Sequence, residues 1–434
     1  MFAYHLDLAL RSFKRSRALT ALMVLAIALG IGACMTTLTV YHVLSGNPIP
    51  GKSDRLFDVE LDAADKVNWQ PGQEPTFQLT RFDAEALLRA GRAKRQVMMS
   101  GSNVAVQPDD AGIKPFYTRA RMTSADFFAM FEAPFIYGSA WNAGDDAAKA
   151  RVVVISKSLN DKVFGGADSV GRDITIRRAT MRVVGVLADW RPVPHYFDLT
   201  AGNYAKGEDV YMPFSTAMDL KFGNSGNMDC WGDTGAASPR DLNAPCSWVQ
   251  YWVELASPAE ATAFRDYLVQ YSDEQRRAGR FVRPTNVRLR NVMDWLVYRQ
   301  VLPSDVTLQV WLAFGFLVVC LVNTMGLLLA KCLRRSGDIG VRRALGAPRG
   351  QIFLQFVVEA GVLGAAGGLL GLLLAWIGLW LVRLSPAEYA PLAQMDWAML
   401  GVTIVLALAA SLLAGLLPAW NAARVPPARH LKTL

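Results

Sequence analysis

Residues 331–350 carry six basic side chains, Lys331, Arg334, Arg335, Arg342, Arg343 and Arg349, against one acid, Asp338. Guanidinium groups bind carboxylates and phosphates through paired hydrogen bonds, so this segment suits docking on an acidic partner. Its centre runs Gly340, Val341, Arg342, Arg343, Ala344, Leu345, Gly346, Ala347. A short helix over Asp338 to Leu345 is expected, ended by Gly346–Ala347–Pro348, because proline disfavours helical geometry in the residue before it. Small residues and a proline are not needed merely to hold charge on one side of a membrane, which favours a docking element over a plain topology signal.

Other reactive residue types are sparse. Cys230 and Cys246 lie sixteen residues apart in a loop-like stretch, 222–247, rich in Gly, Asn, Asp and Pro. In an oxidising compartment such a pair closes a loop as a disulfide. The alternative, a metal site, lacks ligands: His5, His42, His195 and His430 are far apart. The chain contains no H-E-x-x-H, no G-x-S-x-G and no G-x-x-x-x-G-K-[ST] phosphate loop. Its carboxylates form no distinctive pair and read as solvated surface acids. No catalytic residue, metal ligand or directly bound cofactor is expected.

Four apolar segments are long enough to cross a bilayer, which takes about 20 residues in a helix. They are 18–44, 306–330, 352–381 and 399–419. The third contains Gly364, Gly367, Gly368 and Gly371, whose overlapping G-x-x-x-G spacing lets backbones approach closely in lipid. The spacing leaves open whether the partner helix belongs to this chain or to a second copy. Glu359 and Asn323 are the notable polar residues in these spans, and Glu359 is expected to reach an interfacial partner such as an arginine of 342–349. So few polar residues make a poor conduit through the bilayer.

The first span does not read as a signal peptide, because its apolar run exceeds the usual 7–15 residues or so. Cys34, in a faint lipoprotein-like context, reads as a thiol inside the span. Residues 1–17 form an amphipathic segment with Phe2, Leu6, Ala9, Leu10 and Phe13 at helical spacing, expected along the membrane surface.

Net charge is +8, yet residues 1–20, 331–350 and 420–434 carry +3, +5 and +3, so the remainder is −3. Basic residues therefore flank the spans on one side. That is the positive-inside pattern, with both termini and the 331–351 segment cytoplasmic, and residues 45–305 and 382–398 outside. This distribution also argues against nucleic-acid binding.

Residues 45–305 read as an α+β domain of two small lobes. Helices are expected over Thr80–Gly91, Ser124–Phe131 (with Ser124 as N-cap) and Ser156–Phe164. Another follows Ser257, which opens a capping box with Glu260. Strands are expected over Arg151–Ile155 and Trp248–Leu255. A hairpin is expected over Asp173–Leu187, turning at Arg178–Ala179–Thr180. Trp190, Tyr196, Phe197, Tyr211, Trp231, Trp248, Tyr251 and Trp252 read as core, with a cargo-lining surface as the alternative.

Five stretches together resemble permeases of the MacB/FtsX type, the membrane subunits of mechanotransmission ABC transporters. They are LALRSFKRSRALTALMVLAIALGIG (8–32), ADFFAMFEAPFIYG (125–138), VVVISKSLNDKVFGGADSVGRDITIRRATMRVVGVLAD (152–189), GDIGVRRALGAPRGQIFLQFVVEA (337–360) and GLLPAWNAARVPPARHL (415–431). The resemblance implies a bacterial inner-membrane protein with a periplasmic core domain. It implies a homo- or heterodimer of permeases, each bound to a cytosolic ABC ATPase through residues 340–347. ATP and Mg are expected in that partner, a separate chain, unlike MacB itself, where the ATPase is fused. A periplasmic adaptor and membrane lipid are further implied partners. The 222–247 stretch matches no motif of the family and reads as an insertion. Export of an antibiotic, peptide or other envelope compound is the leading expectation. Lipoprotein release and FtsX-like activation of a periplasmic hydrolase are the alternatives.

Overall fold

The computed structural model describes residues 8, 12–13, 16–110, 112–232 and 238–423. Most of the amphipathic 1–17 segment, residues 233–237 of the cysteine-bearing stretch and the basic tail from Arg424 lie outside the described residues. The chain divides at Ser45 and Val301 into a helical unit, built from both ends of the sequence, and an α+β unit over 46–301.

In chain order the helical unit begins with α1 (Arg17–Ser45). The α+β unit then contributes β1 (Leu56–Leu61), β2 (Leu79–Thr80), α2 (Arg81–Ala90), β3 (Arg95–Gln107), β4 (Phe116–Thr123), α3 (Phe127–Met130) and β5 (Phe135–Gly138). It continues through α4 (Ala143–Ala147), β6 (Val152–Ile155), α5 (Lys157–Phe164), β7 (Asp173–Ile176), β8 (Ala179–Leu187), β9 (Val210–Pro213) and α6 (Phe214–Asp219). It closes with β10 (Asp229–Cys230), β11 (Cys246–Glu254), α7 (Pro258–Arg277), β12 (Val287–Asn291) and α8 (Val292–Tyr298). The helical unit resumes with α9 (Ser304–Arg334), α10 (Ser336–Ala344), α11 (Arg349–Arg383) and α12 (Trp397–Ala423).

The four long helices α1, α9, α11 and α12 are long and apolar enough to cross a membrane. With 25–35 residues in each apolar helix they span roughly 40–50 Å, more than the ~30 Å hydrocarbon core. Each runs past the bounds expected from hydropathy. Most consequential is α9, which continues through Lys331–Arg334 and so takes four residues from the expected connecting segment. Lysine and arginine are good helix formers whose long stems lie along apolar surface, so a change in hydropathy does not end a helix there. One core joins all four helices: Ile27, Ile31 and Met35 from α1, Leu317 from α9, Ala375 from α11 and Ala407 from α12.

The α+β unit is built on one sheet, in the order β12-β1-β11-β3-β4-β9-β6-β8-β5, with β2 and β10 on β11, and β7 pairing with β3 and β8. The two lobes expected from the sequence share this sheet. Most pairs are antiparallel, while β4–β9 and β6–β8 are parallel.

Local chemistry explains most element ends. Thr80 caps α2 by accepting from the Asp83 amide, and Gly91 ends that helix at φ +61°. Ser156 caps α5 in the same way, and Gly165 ends it. Three expectations shift. Ser124 does not cap α3: its hydroxyl accepts from the Met98 amide, so it serves the sheet, and the helix starts only at Phe127. The β7–β8 turn is tighter than expected, with Ile176 opposite Ala179 and only Arg177 and Arg178 between them, both at positive φ. A two-residue turn of that hand matches strand twist, and here it tolerates two non-glycine residues. Ser257 caps α7, but the Glu260 carboxylate turns back to the Ala256 amide rather than to that of Ser257.

Candidate functional site

Helix α10 follows α9 after a single residue and occupies the centre of the basic segment. Asp338 lies in its first turn and Arg342 and Arg343 in its last, each favourable against the helix dipole. Its end is a Schellman motif: the Ala347 amide donates to the Arg342 carbonyl (3.0 Å) and the Gly346 amide to that of Arg343 (3.1 Å). Gly346 adopts φ +99°, which favours glycine, and Pro348 then prevents the helix from resuming before α11.

Of the eight residues singled out by sequence, Gly340 turns into the bundle beside Ile339. Ile339 packs with Cys332 of α9, Ile352 and Phe356 of α11, and Ala419 of α12. Val341, Arg342, Ala344, Leu345 and Gly346 are exposed, while Arg343 and Ala347 are half-buried. Val341 is 52% exposed and Leu345 84% exposed. One turn apart, these two make an apolar strip on the outer face of α10. The Arg342 guanidinium donates to the Gln355 side chain of α11 at 3.3 Å.

Beneath α10 lies a buried polar cluster that sequence reasoning placed elsewhere. The partner of Glu359 is Lys331, not an arginine of 342–349, because α9 continues far enough to bring the lysine alongside α11. The Lys331 ammonium and the Ser12 hydroxyl (2.6 Å) both donate to Oε1 of Glu359. Oε2 of Glu359 is buried without a partner among the described residues. The ammonium also sits 4.7 Å from the centre of the Phe13 ring, within cation–π range. Asn323 is exposed on α9.

The four glycines of the two overlapping G-x-x-x-G repeats all face helices of this same chain. A Cβ on Gly364 would fall 1.8 Å from Cβ of Ser411, and one on Gly368 2.7 Å from Cβ of Ala407, both on α12. On the neighbouring face, Gly367 meets Ile27 at 2.7 Å and Gly371 meets Ile31 at 3.0 Å, both on α1. The two overlapping motifs thus serve two different helices. Gly30, Gly32, Gly378 and Gly415 make similarly close approaches; isolated glycines without a repeat gave no sequence signal for this.

In the α+β unit Cys230 and Cys246 are joined as a disulfide, across directly paired positions of β10 and β11. Tyr196, Phe197, Tyr211, Trp248, Tyr251 and Trp252 are core, and Trp190 and Trp231 are half-buried. Phe197 packs against a fully buried charge cluster that no sequence motif marks, with its ring over the Arg121 guanidinium and beside the His195 ring. Arg121 bonds Asp198 at 2.7 Å and also Glu208, while His195 lies 3.5 Å from the second Glu208 oxygen. Burial alone would raise the Glu208 pKa, but Arg121 and His195 outweigh it and hold the carboxyl well below the usual range. A cleft of about 810 Å³ elsewhere in this unit is lined by residues that include Arg81, Asp126, Asp146 and Phe214. Burial pushes Asp146 up to about 6, against hydrogen bonds from the Ala125 amide and the Trp141 indole. Among the described residues no group of three or more His, Cys, Asp or Glu could hold a metal ion.

Residues 20–271 match the MacB-like periplasmic core domain, and residues 310–427 match the FtsX-like permease C-terminal domain. The Macrolide export ATP-binding/permease protein MacB of Azoarcus sp. is 25% identical over 434 residues, covering 96% of this chain and 58% of its own length. The Pyoverdine export ATP-binding/permease protein PvdT of Pseudomonas entomophila is 26% identical over 364 residues, 83% of this chain and 49% of that one. The chain thus spans about half to three fifths of the length of these relatives. The crystal structure of the periplasmic region of MacB from Actinobacillus actinomycetemcomitans superposes with a TM-score of 0.38 at 13% identity, covering 59% of this chain and 96% of that one.

Proposed function

The chain belongs to the MacB-like, FtsX-type family of ABC transporter permeases, and on that premise we propose that it is the membrane subunit of an exporter driven by a separate cytosolic ATPase. ATP and Mg bind in that partner, and this chain contributes no catalytic group. The observation that carries the reading is α10: a short, capped helix tied to the bundle by Ile339, with Val341 and Leu345 presented outward beside two arginines. An apolar strip with flanking guanidinium groups fits a groove rimmed with carboxylates. In this reading the protein is a multi-pass protein of the bacterial inner membrane, with its termini and α10 cytoplasmic and the α+β unit periplasmic. It acts as a dimer of permeases, with a periplasmic adaptor completing the route of an envelope compound out of the cell. Closure of the ATPase pair moves α10, and the packed helices carry that movement to the α+β unit.

Co-purification with the cognate ATPase tests this. Wild type retains the ATPase, whereas Val341→Asp/Leu345→Asp and Arg342→Glu/Arg343→Glu lose it at equal membrane abundance. Retention by both double variants, or ATP hydrolysis by the purified chain alone, sinks the proposal.

A further inference from the structure

A second pocket, of about 190 Å³, lies among α10, the start of α11 and the N-terminal residues Leu8 and Ser12. Its lining includes Arg335 and Arg342, with Asp338 and Gln355 as further polar groups and Ile339 and Phe356 as apolar floor. Arg335, Ile339 and Arg342 recur at helical spacing, so the two guanidinium groups flank one buried isoleucine on one face. That face is distinct from the one carrying Val341 and Leu345.

Among the described residues neither Arg335 nor Arg342 has a carboxylate within 4.0 Å, although Asp338 lines the same pocket. The polar partner of Arg342 is the neutral Gln355. Arginines of the α+β unit behave differently: Arg280 pairs with Asp83, Arg288 and Arg290 with Glu74, and Arg283 with Asp62. Two guanidinium groups against one carboxylate, above an apolar floor at the ends of membrane-spanning helices, present a fork for phosphate oxygens next to a surface for acyl or glycerol carbons.

We infer that this pocket binds the phosphodiester headgroup of an anionic phospholipid, held by Arg335 and Arg342 with its glycerol end against Ile339 and Phe356. The inference rests on the orientation proposed above, which places the pocket at the cytoplasmic leaflet, where anionic lipids attract basic segments. A lipid held here would engage Arg342 and brace α10 against α11, while leaving Arg343 and the Val341–Leu345 strip free for the ATPase.

The test uses the full chain in neutral detergent, without ATPase, titrated with dioleoylphosphatidylglycerol or dioleoylphosphatidylcholine. Bound lipid is counted by native mass spectrometry. Phosphatidylglycerol is expected to bind at least tenfold more tightly than phosphatidylcholine, and Arg335→Gln/Arg342→Gln should abolish that preference. Arg334→Gln/Arg349→Gln removes the same charge outside the pocket and should leave the preference intact. Equal loss in this control pair would overturn the inference in favour of diffuse charge attraction. Displacement of the lipid by inorganic phosphate at comparable concentration would overturn it in favour of a free-anion site. Because the readout needs no ATPase, lipid binding with failed co-purification sinks only the docking proposal, and the reverse result sinks only the lipid site.

Discussion

Replacing Lys331 by Met should be among the most damaging single changes in the helical unit. The Lys331 side chain is 5% exposed and that of Glu359 1% exposed. Without the lysine, Oε1 of Glu359 keeps, among the described residues, only the Ser12 hydroxyl, and Oε2 has no partner among them. Removing one member of a buried pair leaves an uncompensated charge and costs about 3–5 kcal/mol. Glu359→Met should cost a similar amount, since it strands the ammonium with only the Phe13 ring and leaves the Ser12 hydroxyl without its acceptor. Lys331→Met/Glu359→Met removes both charges at nearly constant volume, so it should recover most of the loss. What remains is about 1 kcal/mol for the stranded Ser12 hydroxyl. The cycle therefore predicts a coupling energy of about 5 kcal/mol or more between the two positions. Unfolding of the full chain by SDS titration in mixed micelles reads all four proteins on one scale. A double variant as unstable as the sum of its singles would refute the reasoning, because the two charges would then not be answering each other.

Two further predictions concern packing and pH. Gly364→Ala should cost about 1–3 kcal/mol of helical-unit stability by forcing α11 and α12 apart at Ser411, whereas Gly361→Ala, where an added Cβ meets nothing within 4 Å, should be neutral or stabilising in the same titration. Asp146 binds its proton more tightly folded, at about 6, than at its ordinary 3.8, so its contribution is full below about pH 4 and is lost as pH rises through about 6; the midpoint of thermal unfolding of the α+β unit, read by tryptophan fluorescence, should fall across that window by the equivalent of about 3 kcal/mol, and Asp146→Asn should flatten the fall.

How far the sequence foretold these features depends on the range of the interactions. Thr80, Ser156 and Ser257 were readable as helix starts because a cap and its amide lie three residues apart. The end of α10 was readable from Gly346 and Pro348 for the same reason. The four glycines announced close packing through their spacing, but not that Gly364 and Gly368 face one helix while Gly367 and Gly371 face another. That division depends on which helices surround α11, which no local pattern encodes. The Glu359 partner was misplaced because hydropathy marks where apolar residues stop, not where the helix stops. The Arg121 cluster was invisible, since its members come from β4 and from loop positions 74 to 87 residues later. In sequence each is an ordinary surface-type residue, and only the fold makes them a buried set.

The α+β unit is reached by two connections, from Ser45 of α1 into β1 and from β12 through α8 to Ser304 of α9. Those two strands are direct neighbours, paired from Phe57↔Asn291 to Leu61↔Val287. Along β1 and just past it, Asp58, Glu60 and Asp62 alternate with apolar residues, so all three carboxyls share a face, and all are buried. Arg290 bonds Glu60 at 2.5 Å and Arg283 bonds Asp62 at 3.0 Å. Among the described residues Asp58 has no such bond, and burial, reinforced by neighbouring Glu60, pushes its pKa above the usual range. An apolar face would stabilise this pair as well or better, because buried ion pairs rarely exceed hydrophobic packing in net worth. What the ions add is register. A one-residue slip of β12 would carry Arg290 to the opposite face and leave Glu60 buried without its cation, at a cost of several kcal/mol. Apolar side chains would penalise a slip less sharply, since they make no directional bonds. Under the proposed mechanism any displacement of α1 against α9 is applied across this strand pair. A pair that resists sliding passes that displacement into the sheet instead of absorbing it.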